Sequence, residues 1–241
     1  MQQIDGIVEK LKRTEENVFN LQSEISAFFE KSDYPVLPEN DRKLLLKAIE
    51  YHKNLAIPPR FNVLAGEVIH HLRSSFDHIV WHFSVGATDK DKWIEFPVFD
   101  EQPSKTKDIE RFKRKIERVR DPNVIDLIKR LQPYNSADPT DDPLSIIHSF
   151  DIIDKHRELI LCGATGSTVV PRTMESTIKS YERAHPELDR AQVARHFKNY
   201  GVSKPCVSFK NFGRQEIQPV VQGLFNLFNY TVEAIRGFEA L

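Results

Sequence analysis

The hydrophobic positions of the chain fall into two rhythms. Between residues 4 and 31, Ile7, Leu11, Val18, Leu21, Ile25 and Phe28 recur at three-, four- and seven-residue steps with charges between them, which predicts a long amphipathic helix. Pro58-Pro59 sets up a second helix at about 61–84, with Leu64, Val68, Leu72, Phe76, Ile79 and Phe83 on one side; Gly86 and the polar run 88–92 end it. A basic helix is expected at 105–120, and Pro122 opens another that runs to about Leu131. The segment at about 143–160 carries apolar residues on more than one side, the mark of a buried helix. A last amphipathic helix, at about 217–239, puts Val221, Leu224, Phe225, Phe228, Val232 and Ile235 on one face.

The second rhythm is extended. Residues 161–170 and 203–212 read as strands, 93–99 as a short apolar extended piece, and 34–38 as extended chain. The segment 43–52 mixes signals and is read as a strand paired with 34–37. Residues 171–200 are polar, with weak helical signals at 189–197, and read as an insertion or lid. The expected fold class is mainly α with minor β. Long antiparallel helices (4–31, 61–84, 143–160 and 217–239) form a bundle with a small β-sheet of short strands, one domain over 1–241.

Composition narrows the function classes. The chain is 40% hydrophobic and 29% charged, ordinary for a globular protein. Its net charge of −1 gives no global basic field to recruit nucleic acid. A local patch exists at 111–120, six basic residues in ten, which serves as a solvated helix face or as an RNA-facing surface. Two cysteines, Cys162 and Cys206, are too few for a disulfide framework or a thiolate zinc site. No signal-peptide pattern is evident at the N-terminus, and no apolar run approaches the roughly 18 residues of a bilayer span. A cytoplasmic setting without membrane is expected.

The polar side of the 61–84 helix changes this bland picture. It holds Glu67, His70, His71, Ser74, Asp77, His78 and His82, with Arg73 at its margin. Histidine titrates near neutrality, and beside Arg and Asp it marks a candidate site. Arg73-x4-His78 can pair a phosphate-binding cation with a proton-transfer group, as RNA cleavage requires. Asp77 can hold Arg73 through an (i, i+4) ion pair. His71, His82, Lys155, His156 and Arg157 are the candidate substrate contacts. The same residues also fit a structural reading: charges in a buried helix need partners, so His70, His148, Asp151 and Asp154 would form a network fixing two helices in register. A zinc, nickel or manganese site from His78-x3-His82 with Asp77, His148 or His156 is a third possibility, but no familiar ligand motif is present, and no cofactor is expected.

Two blocks together resemble a broad group of bacterial proteins. Residues 70–81 resemble that group's H-x-LRSALDHLVW helix, and Gln132-Pro133-Tyr134, His148 and Asp154-Lys155-His156-Arg157 resemble its QPY…H…DKHR block. Phe96-Pro97 sits where the group often has an FP pair. The resemblance spans roughly residues 55–160 and implies relatives, not a reaction. Arg73 and His78 are more loosely similar to the R-x4–6-H motif of HEPN domains, with Ser74 where those often carry Asn, Asp or His. That resemblance implies a helical bundle, often a homodimer. It also implies metal-independent RNA cleavage in toxin or phage-defence systems, with His78 moving the proton and Arg73 holding the phosphate.

Overall fold

The apolar stripes do become helices, and one of them becomes the axis of the molecule. In the computed structural model, residues 2–31, 37–38, 51, 55–88, 90–157, 161–167, 202–212 and 215–241 are described. Helix α1 (Gln2–Glu30) buries Ile7, Leu11, Val18, Leu21 and Ile25 along one side. Helix α2 (Pro59–His82) starts on Pro58-Pro59, where the missing prolyl N–H costs nothing. It buries Phe61, Leu64, Val68, Ile69, Leu72, Phe76, Ile79 and Val80, a band too wide for one neighbour. Accordingly α2 packs against α1, α5 (Pro143–His156) and α6 (Val220–Glu239). The chain leaves α2 through Gly86, whose φ of +67° is open to glycine at no steric cost.

The short helices α3 (Thr106–Lys115) and α4 (Pro122–Arg130) follow. Asp121 caps α4 by accepting from the Asn123 amide at 2.8 Å, and Asp142 caps α5 by accepting from the Leu144 amide at 2.9 Å. Helix α3 ends at Lys115 and not at 120, because Val119 leaves to bridge Ser84. Helix α5 ends at His156, short of the expected 160; Arg157 is already extended at φ −152°, ψ 178°.

Four antiparallel strands make the sheet: β1 (Leu37–Pro38), β2 (Leu161–Ser167), β3 (Val202–Phe212) and β4 (Gln215–Pro219). Strand β3 is central. It pairs with β2 from Leu161↔Phe209 to Ser167↔Ser203, and with β1 and β4 at the two ends of its other edge. The Phe150 and Phe209 rings, 5.0 Å apart, join α5 to the sheet. The fold class is therefore mainly α with a small antiparallel sheet.

Two local expectations change, and one lies largely outside the described residues. Leu37-Pro38 pairs with Val202 and Ser203; of its expected partner 43–52 only Tyr51 is described, and it is helical. The expected start of the last helix at 217 falls in β4, since pairing with β3 holds the chain extended up to Pro219. The 93–99 segment stays outside the sheet and lies in irregular conformation against α2. The lid reading of 171–200 lies outside the described residues. Among the described residues no helix is long and apolar enough to cross a membrane.

Candidate functional site

Arg73 lies on the inward side of α2 and is 3% exposed. Each arm of its guanidinium is engaged. Nη1 donates to Asp77 Oδ1 at 2.6 Å, Nη2 to the Phe96 carbonyl at 2.9 Å, and Nε to His148 Nδ1 at 3.3 Å. The Asp77 carboxylate oxygen that takes Nη1 also accepts the Phe96 amide at 2.9 Å. The (i, i+4) pair expected from the sequence thus holds both backbone groups of one residue in an irregular segment. Buried backbone without a ladder needs such partners. Gln132, 1% exposed, holds the next residue: Nε2 donates to the Pro97 carbonyl at 2.8 Å.

Electrostatics follow this packing. Burial, reinforced by Arg73 and Lys115, pushes the His148 imidazole down to about 4. His148 is therefore neutral at pH 7, and because Nδ1 accepts from Arg73, the proton sits on Nε2. Burial pushes the Asp77 carboxyl up, against the lowering pull of Arg73 and the Phe96 amide. Against burial, the buried Lys115 ammonium, 2.6 Å from Glu95, holds that carboxyl below its usual range.

A second cluster joins α2 to α5 one turn away. Asp151, 3% exposed, accepts from His70 Nδ1 at 3.0 Å and from Lys155 Nζ at 2.6 Å. Asp154 packs its carboxylate against Gly66, where a β-carbon would collide with it. Burial and then Asp151 push the Asp154 carboxyl up. His156 and Arg157 are exposed at the end of α5.

The outward face of α2 is different. Lys10 of α1 donates to Ser74 Oγ at 2.9 Å. His71 and His78 lie close enough for burial and then the Lys10 charge to push both imidazoles down, so they too are neutral at pH 7. Burial pushes the Lys10 ammonium down, opposed by Asp77. His71 Nδ1 is buried with no hydrogen-bond partner among the described residues. His82, also pushed down by burial, sets its ring 4.9 Å from Phe83.

The predicted catalytic pair is thus divided. Arg73 faces inward and His78 is exposed, as an offset of five residues, about 140° around the helix, requires. His70, His148, Asp151 and Asp154 all lie between α2 and α5, Lys155 pairs within its own helix, and His71, His78 and Lys10 share the outward face. Lys10 and Glu95 carry no signal in the sequence, and Lys115 stands there only as one of the six basic residues of 111–120. Each belongs to an ordinary charged helix or loop there, and only tertiary packing selects it. Among the described residues no group of three or more His, Cys, Asp or Glu side chains is arranged to hold a metal ion. No protein-family model matches the chain, and no curated protein or solved structure matches it.

Proposed function

We propose that this chain is a non-enzymatic helical scaffold that binds a partner, and that its Arg73-centred residues hold the fold. The observation that carries this reading is the spent guanidinium: Arg73 is buried with all three nitrogens donating inside the protein. A phosphate at Arg73 would have to displace Asp77, His148 or the Phe96 carbonyl. Gln132, His148 and the Phe96-Pro97 pair, which also carry the resemblance to the bacterial group, converge on the same segment. The recurring motif then describes a clamp and not a reaction centre.

Metal-independent RNA cleavage is the second reading, and the outward face favours it. His78 is an exposed, neutral imidazole in the field of Lys10. There His78 would take the 2′-hydroxyl proton, and Lys10 in place of Arg73 would meet the phosphate charge, duplicated across a homodimer. The two readings separate in one assay. Purified protein is incubated with RNA in EDTA beside His78→Ala and Lys10→Ala. The scaffold reading expects no cleavage that either substitution removes. Cleavage abolished in His78→Ala, with its melting temperature unchanged, would overturn it and establish the second.

A further inference from the structure

Helices α3 and α4 enclose a cavity of about 540 Å³ that opens to solvent, away from the Arg73 cluster. We propose that it is a binding site for a small amphipathic carboxylate, with the apolar body in the cavity and the carboxylate at Lys113 and Lys129. This goes beyond the scaffold reading and does not depend on it.

The volume lies within the roughly 300–1,000 Å³ of small-molecule sites. The walls are apolar: Ile109 and Phe112 from α3, Ile116 just after it, and Ile125 from α4. Such a surface gains from covering by hydrocarbon. The polar groups are few and biased in sign. Lys113 is exposed and has no ion-pair partner among the described residues, while Lys129 meets only exposed Asp126 at 3.4 Å. An exposed pair of that kind is weak and screened by solvent, so the ammonium remains available. The one carboxylate in the lining, Glu117, faces Arg118 Nε at 3.7 Å. The Tyr134 hydroxyl, pushed up by burial, stays protonated and can donate to an anion. There is no backbone cradle of glycines, which argues for a compact single charge on a hydrocarbon body and not for a nucleotide.

Helix α3 is built to offer this face. Lys115 turns inward to Glu95, whereas Phe112 and Ile116 turn to the cavity and Arg111 stacks over Phe99 at 5.1 Å. The alternative role for Lys113 and Lys129 is to offset the negative ends of α3 and α4. That role affects stability and not binding.

The test is fluorescence titration of the full chain with anilinonaphthalene sulfonate, followed by displacement with decanoate, decyltrimethylammonium or inorganic phosphate. The site predicts saturable one-to-one dye binding, displacement by decanoate, and none by phosphate or the cation. Ile125→Trp, which fills the cavity, should abolish dye binding. Lys113→Glu with Lys129→Glu, both on the surface, should weaken decanoate about tenfold, or 1.4 kcal/mol. Equal displacement by the cation, no saturable binding, or unchanged decanoate competition in the folded charge-reversed variant would overturn the proposal. Near-UV circular dichroism separates dye held in a cavity from dye held by a loosened core.

Discussion

Arg73 and His78 stand five residues apart on one helix under opposite conditions. Inside, Arg73, Asp77, His148 and the Gln132 amide nitrogen bond one another or the backbone of 96–97, and Asp151 takes His70 and Lys155; Gln132 Oε1 is buried without a partner among the described residues. Outside, His71, Ser74 and His78 meet Lys10, and His71 keeps a nitrogen with no hydrogen-bond partner among the described residues. Both sides use histidine beside a cation, yet inside every guanidinium nitrogen of Arg73 is engaged, while outside the exposed His78 imidazole has capacity left over. Histidine and arginine density in a sequence therefore does not by itself distinguish a fold-holding cluster from a reactive one; the count of spent donors does.

The comparison breaks most directly at Arg73. Arg73→Ala strands Asp77, the Phe96 carbonyl and His148 at once, and removing one member of a buried charged cluster costs about 3–5 kcal/mol. Urea denaturation measures it, and a loss below about 1 kcal/mol would mean the inward cluster is not structural.

His148 gives a smaller effect with a definite sign. The unfolded imidazole takes up a proton near pH 6.5 and the folded one only near about 4. Between those values the unfolded chain binds more protons, so this contribution is complete above about pH 6.5 and drains as pH falls toward about 4. Asp77 and Asp154, pushed up by burial, act in the opposite sense, so the comparison is between wild type and His148→Gln. The variant should lose less stability between pH 7 and pH 4.5, and equal losses would remove His148 from the account.

The smallest effect belongs to the outer face. His78→Ala should change stability by no more than about 0.5 kcal/mol, as for other exposed positions. A drop above about 1 kcal/mol would erase the contrast with Arg73.

Much of the architecture was legible in the chain. The spacing of Val68, Leu72, Phe76 and Ile79 marks α2, and Arg73-Asp77 reads as a local pair because four residues make one turn. The need of α5 for partners on α2 was also visible, though the pairing runs through His148 and Asp151 more than through His156 or Arg157. What was not legible is long-range. Nothing local says that Phe96 offers its backbone to residues about twenty positions away, that Lys10 reaches Ser74, or that 215–219 finds a strand partner before its helix starts.

Gly66 and Asp154 leave a mark that would be inherited. The helix crossing leaves room at 66 for a hydrogen atom while the carboxylate of Asp154 occupies the gap. Any relative that keeps this crossing and carries a larger residue at 66 must therefore turn the side chain at 154 away or carry a smaller one there. The two positions should drift together, so a sufficiently broad set of relatives would reveal the α2–α5 crossing from correlated changes alone.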